Sequence, residues 1–205
     1  METNVVDTAS ESTPYSLGLE RTQESTWIQR ALDGDLNAFN RLVLLYQDGL
    51  YRWMLSLVSD QALAEDLTQS TFITAFEKLS VYRGGSFRSW LFTIARNRAF
   101  DELRRSRRRP TASLDEEDED GRELYAVLPD RAPLPEEALE AAELAAQIER
   151  LLNQQPLVFK EVLVLIDREG LDYQEAASVL HQPIGTIKSR LARARLRMRN
   201  LLLEN

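Results

Sequence analysis

Six basic side chains, Lys188, Arg190, Arg193, Arg195, Arg197 and Arg199, fall between Lys188 and Arg199 with no acid among them. Arginine and lysine donate to phosphate oxygens and to the acceptor edge of guanine, so a cluster at helical spacing points to a polyanion. A second concentration closes the stretch FRSWLFTIARNRAFDELRRSRRR (87–109). Here Asn97, Asp101, Arg104 and Arg108 follow one another at steps of four, three and four, which places them on one helix face. An Asn and an Asp there could read exposed base edges, while the arginines grip phosphates. The competing explanation is a solvated basic face. It is weak for 188–199, in a chain whose net charge is −8, but nearly as good as a specific site for the arginine run alone.

Other chemistries have little to stand on. There is no cysteine, which removes disulfides, thiolate metal sites and cysteine nucleophiles together. The lone His181 sits in a break between two helical patterns. No metal-ligand spacing, nucleophile elbow or phosphate-binding glycine loop is present; RGGS at 83–86 has the spacing of none. An enzyme is therefore the weakest reading, and no cofactor or metal is expected. The opening METNVVDTASESTPYS is acidic and polar, unlike a signal peptide. The run LVLLY at 42–46 is far short of the roughly 20 apolar residues a membrane span needs. A soluble, cytoplasmic protein without stable membrane insertion is expected.

The overall acidity is local. Between Pro110 and Arg150 thirteen acids face three arginines, a net −10, so the rest of the chain carries +2. Local sign matters more than the total for a polyanion partner.

The elements that must hold these clusters are helices. Residues 1–24 carry no helical period and read as a flexible tail. From 25 to 109 the pattern is helical, with pieces near 26–33, 35–58, 61–79 and 87–108. Breaks fall at Asp33-Gly34-Asp35, Ser59-Asp60 and Arg83-Gly84-Gly85-Ser86. Pro110, Pro129, Pro133 and Pro135 interleave with the acidic run, so 110–135 reads as a flexible linker and domain boundary. A second unit over 136–205 has helices near 136–153, 156–168, 172–180 and 183–203. The expected fold is all-α: two small helical domains joined by a flexible acidic linker.

Within the second unit, LDYQEAASVLHQPIGTIKSRLARARLRMR (171–199) carries the most information. Asp172 and Glu175 have capping-box spacing, and Ala176-Ala177 allow a close helix approach. His181-Gln182-Pro183 is a short break. Ile184, Ile187, Leu191, Ala194 and Met198 then form an apolar stripe, with Gly185, Ser189 and Arg193 facing away from it. Two short helices with a tight turn, the second basic on its free face, describe a helix-turn-helix. PIGTIKSRLARAR resembles the sigma-factor region (region 4) that recognises the −35 promoter element, and DYQEAASVL resembles its supporting helix. The resemblance implies that Thr186, Lys188, Ser189, Arg190 and Arg193 meet DNA. Gln154-Gln155-Pro156 departs from the Leu-Pro pair common in that family, a matter of helix packing more than readout.

In the first unit, FRSWLFTIARNRAFDELRR resembles sigma region 2. That resemblance implies that Asn97 and Asp101 face the −10 bases, with Arg104 and Arg108 on phosphates. The loop with Arg83, Ser86 and Phe87 would receive an unstacked base. Trp90 and Phe92 read as core. Upstream, ALAEDLTQSTFITAFEKL (62–79) is apolar on more than one side, so it is either buried wholly within its own unit or shared with a partner. EDLTQSTFITAF is similar to the segment that docks on the clamp helices of the polymerase largest subunit, which implies Glu65, Asp66, Gln69 and Thr71 as polar contacts.

Both regions in order, with only a short linker between, resemble the extracytoplasmic-function group of the sigma-70 family. The partners implied are core RNA polymerase (clamp helices and β flap), promoter DNA and an anti-sigma protein. Two other readings compete. A stand-alone helix-turn-helix regulator would bind duplex DNA specifically without polymerase. A helical adaptor would bind DNA with steep salt dependence and little sequence preference.

Overall fold

The computed structural model describes residues 14–108 and 136–204. Among these residues every regular element is helical. The linker expected over 110–135 lies outside the described residues.

Helix α1 spans Pro14–Leu32, so it begins well before the start expected near residue 26. The flexible tail expected over 1–24 is thereby corrected for residues 14–24, which are helical. Proline is favoured at a first helical position, where its missing N–H costs nothing, and Glu24 is held to the next helix by the Tyr46 hydroxyl at 2.6 Å. Gly34 (φ +92) then turns the chain. Asp35 caps α2 (Leu36–Val58), accepting the amides of Asn37 at 2.9 Å and Ala38 at 3.2 Å. The Ala38 amide and the Arg30 guanidinium hold the Asp35 carboxyl below its usual range. Ser59 closes α2 in the left-handed region, and Asp60 caps α3 (Gln61–Glu77). A 3-10 turn at Leu79–Val81 and the Gly84-Gly85 loop lead into α4 (Phe87–Arg108).

The interior of this unit forms where the apolar stripes of α2 and α4 meet. Leu50, Trp53, Met54, Leu91, Ala95 and Ala99 are fully buried, and the rings of Trp53 and Phe92 stack at 5.2 Å. Each large side chain buried this way contributes about 1.5–3 kcal/mol.

The second unit comprises α5 (Glu136–Asn153), α6 (Leu157–Leu163), α7 (Tyr173–Leu180) and α8 (Ile184–Glu204). A π-helical turn, Val164–Arg168, follows α6 and ends at Gly170 (φ +67). Such a turn accommodates one extra residue per helical turn. It fans three consecutive side chains to three helices: Asp167 pairs with Arg195 of α8, Arg168 with Glu149 of α5, and Glu169 with Arg52 of α2.

The two units also pack on each other, α4 against α7 and α2 against α6 and the π-helical turn. One contiguous cluster of buried residues runs through both. No local sequence pattern predicts this packing, because its partners lie as far apart as Arg52 and Glu169.

Candidate nucleic-acid interface

The helix-turn-helix is built from local rules. Asp172 accepts the amides of Gln174 and Glu175 at 2.7 and 2.8 Å, and Glu175 accepts the Asp172 amide at 3.0 Å, which closes the capping box. His181 ends α7 in the left-handed region (φ 51). Pro183 then starts α8, its carbonyl accepting the amides of Thr186 and Ile187. Ile187, Leu191 and Ala194 are buried and fix the helix to its support, and Met198 packs beside them. Ile184, expected in the same stripe, is 38% exposed.

With that stripe turned inward, Lys188, Ser189 and Arg193 are exposed, whereas Thr186 and Arg190 are half-buried. The Lys188 ammonium lies 5.5 Å from the centroid of the Tyr173 ring, which steadies it near the turn. Ser189 donates to the Thr186 carbonyl at 2.9 Å. Arg195 differs from its neighbours. It is paired with Asp167, its Nε at 3.0 Å from Oδ2, and that hydrogen bond raises its pKa further. Among the described residues, Arg193, Arg197 and Arg199 of α8 thus have no acidic partner, whereas Arg195 has one.

On α4 the expected reading face is also outward. Asn97, Asp101 and Arg104 are exposed, while Leu91, Phe92, Ala95 and Ala99 face inward. Asp101 pairs with Arg104 at 3.3 Å and Glu102 with Arg105 at 3.0 Å, so this cationic end is partly neutralised from within. The Arg108 side chain lies outside the described residues. Arg98 donates to the Thr74 hydroxyl, which ties α4 to α3.

The preceding loop is held open by glycine. Gly84 (φ +87) and Gly85 (φ +89) occupy backbone conformations that an L side chain adopts only with strain, and the Tyr82 hydroxyl donates to the Gly85 carbonyl at 2.7 Å. Arg83 and Ser86 are exposed, as an unstacked base would require. Phe87 corrects the expectation. It is 1% exposed, because the first residue of α4 turns inward and its ring packs among Tyr46, Tyr82 and Trp90 at 5.5–5.9 Å. It supplies no platform for a base. Tyr82, which sequence reasoning passed over, is the half-exposed aromatic beside this loop.

The α3 surface divides the same way. Glu65, Asp66 and Gln69 are exposed. Thr71 is corrected: it is fully buried, and its hydroxyl is spent on the Leu67 carbonyl at 2.6 Å. The two-sided apolarity of α3 has a clear outcome. Phe72 is buried, while Ile73 and Phe76 remain 54% and 43% exposed along a groove of about 720 Å³ shared with Phe39 and Val43 of α2. The exposed Leu36 of α2 also lines this groove and was not singled out from sequence. Among the described residues no group of His, Asp and Glu is arranged to hold a metal ion, and no helix is long and apolar enough to cross a membrane.

Comparisons with known proteins fall on these same segments. Residues 42–109 match the family described as Sigma-70 region 2, and residues 145–198 match Sigma-70, region 4. The chain is 32% identical to the ECF RNA polymerase sigma factor SigE of Mycolicibacterium smegmatis, over 97% of this chain and 80% of that protein. It is 36% identical to the RNA polymerase sigma-H factor of Pseudomonas aeruginosa, over 86% and 92% respectively. Among solved structures, the sigma factor RpoE in complex with the anti-sigma factor NepR from Bartonella quintana superposes with a TM-score of 0.63 at 29% identity. That match covers 82% of this chain and 98% of that one.

Proposed function

The chain belongs to the extracytoplasmic-function group of the sigma-70 family, and we propose that its two helical units divide the work of directing transcription initiation. In this reading α1–α4 dock on core RNA polymerase and capture the −10 element, and α5–α8 bind the −35 element. The observation that carries it is the pair of outward reading faces in one chain, Asn97 and Asp101 on α4 and Lys188, Ser189 and Arg193 on α8, each inside a matched family region.

Roles follow from chemistry. Lys188 and Arg193 donate to phosphates or guanine, with Thr186, Ser189 and Arg190 beside them to fix register. Arg83 and Ser86 border a loop that receives an unstacked −10 base, whose removal from the stack costs a few kcal/mol. Asn97 and Asp101 read neighbouring bases, with Arg104 and Arg108 on the backbone. Glu65 and Gln69 line the apolar Ile73–Phe76 groove, with Asp66 exposed on the same helix, which suits a helical docking surface on polymerase. Phosphoryl transfer belongs to the polymerase, and no catalytic step is assigned to this chain. An anti-sigma protein is a further proposed partner, since a solved relative is bound by one, and the cytoplasm is the proposed place of action.

The test is transcription by purified core polymerase on a random promoter library, with and without the protein. Start sites that depend on the chain and share two spaced motifs are the expected result. Specific duplex binding without any association with core would replace this reading with that of a stand-alone regulator.

A further inference from the structure

Lys188 and Arg195 stand seven residues apart on α8, so they share one face of that helix. The corner that leads into α7 reaches both, with opposite chemistry. Asp167, on the π-helical turn, takes Arg195 as an ion-pair partner. Tyr173, the first residue of α7, presents its ring to Lys188, whose ammonium lies 5.5 Å from the ring centroid. A carboxylate offsets the charge that it holds and occupies its N–H donors. An aromatic face attracts a cation through its quadrupole and leaves both the charge and the outward donors in place. Lys188 is thus oriented without being neutralised, and it remains exposed.

The ring is placed from behind. Leu171 is 2% exposed, and its amide donates to the Leu165 carbonyl at 2.9 Å, which seats the corner after Gly170. The capping box of Asp172 and Glu175 then fixes the first turn of α7. Tyr173, Ala176 and Leu180 follow at steps of three and four, so the ring continues a stripe whose other two members are buried. It stands at the solvent edge of that stripe, 40% exposed. Among the described residues the Tyr173 hydroxyl has no hydrogen-bond partner, so the ring, not the polar tip, addresses α8.

A lysine ammonium rides on a flexible four-carbon stem, which loses its freedom when the charge is fixed on DNA. A ring that already holds the ammonium removes part of that loss before DNA arrives. We propose, resting on the sigma reading above, that Tyr173 is a positioning residue for the −35 reader: its ring pre-sets the Lys188 ammonium to meet one place on the duplex instead of sampling many. Asp167 does the reverse for Arg195, drawing it away from the same task.

Tyr173→Leu removes the π face while keeping an apolar side chain, and Tyr173→Phe keeps the face and removes only the hydroxyl. The chain has three lysines, Lys78, Lys160 and Lys188, so lysine-selective carbon labelling of the full-length protein gives a spectrum simple enough to assign with Lys188→Ala. The ring should shift the Lys188 ε-methylene upfield in the parent and in Tyr173→Phe, and the shift should vanish in Tyr173→Leu. Binding is read with holoenzyme on a promoter recovered from the random library. Tyr173→Leu should weaken it about two- to fivefold, as expected for an exposed cation–π contact, and flatten the base preference at one −35 position. Tyr173→Phe should match the parent, and Tyr173→Leu should change nothing further once Lys188 is alanine. Equal losses for leucine and phenylalanine would assign the effect to the hydroxyl. A leucine loss that persists without Lys188 would make the ring a packing element, and an unshifted parent signal would remove the contact itself. Any of these three overturns the proposal. A ring-shifted Lys188 in a chain that directs no transcription with core polymerase would leave the contact standing and sink the sigma reading instead.

Discussion

Helices α4 and α8 are both long and both rich in arginine, yet they carry their charge differently. Among the described residues, the exposed Lys188 and Arg193 of α8 have no acid of their own helix in contact, whereas Arg195 is diverted to Asp167 and Arg190 lies near the buried Glu161. On α4 the pairs Asp101–Arg104 and Glu102–Arg105 sit three residues apart and offset each other. The first arrangement suits a fixed duplex phosphate lattice, where every unpaired cation releases counterions. The second holds its polar groups in a moderated field, which suits bases that are read one at a time.

The most damaging way to probe this contrast is to loosen one reader while leaving its charge intact. Leu191→Ala, at a buried anchor of α8, should cost about 2–5 kcal/mol of stability. It should abolish −35 duplex binding at temperatures where the unsubstituted chain still binds, as seen in a thermal melt followed by a mobility shift. Retained binding at equal affinity would mean that α8 is not held by this stripe.

Next in size is Arg193→Ala. If Arg193 meets a guanine edge, binding should weaken by about 1–3 kcal/mol with relaxed preference at one position; a pure phosphate contact would lower the salt slope by about one unit instead. The matching change on α4, Arg104→Ala, should be milder. Arg104 is already engaged by Asp101, and exposed pairs of this kind are worth about 1 kcal/mol or less. If Arg104→Ala changed the salt slope of −10 strand binding as much as Arg193→Ala changes that of duplex binding, the distinction between the two helices would fail.

The smallest effect separates burial from pairing. Burial raises the Glu161 carboxyl pKa, and the opposing pull of Arg96 does not cancel it. A raised carboxyl pKa in the folded chain contributes stability that is present below the ordinary glutamate range and lost as pH rises through the raised value. Glu161→Gln should therefore be equal to or slightly more stable than the parent at pH 7, with the difference shrinking as pH falls toward the ordinary glutamate range. Urea midpoints across that window would check the sign. A strongly destabilised glutamine variant at pH 7 would show that attraction to Arg96 and Arg190 outweighs desolvation.

Local chemistry was readable in advance, and long-range chemistry was not. Asp35, Asp60 and Asp172 announce helix starts because a cap acts within three residues, and α2, α3 and α7 each begin at the next residue. The start of α1 was missed because a polar run has no apolar stripe to reveal it. Asn97, Asp101, Lys188, Ser189 and Arg193 lie on outward faces as expected, because helical spacing fixes which face residues share. Phe87 and Thr71 were misjudged for one reason: residue type alone does not say whether a ring at a helix start turns inward, or whether a hydroxyl is consumed by the carbonyl four residues back. The pairs Arg52–Glu169 and Arg96–Glu161 span 117 and 65 residues and leave no local trace. Gly49 within α2 carries the mark of the first of these pairs only in the folded chain, where a Cβ would collide with the Glu169 carboxylate.

The π-helical turn at Val164–Arg168 makes chain length, more than side-chain identity, the critical variable at this point of the fold. Deleting one residue would remove the extra one that the wide turn holds and restore ordinary helical winding, so the spacing that sends Asp167, Arg168 and Glu169 to three different helices would be lost. The pairs Asp167–Arg195, Arg168–Glu149 and Glu169–Arg52 could not all form at once. Substitutions here should be absorbed one contact at a time, whereas a single-residue gain or loss would act as a frameshift in three dimensions.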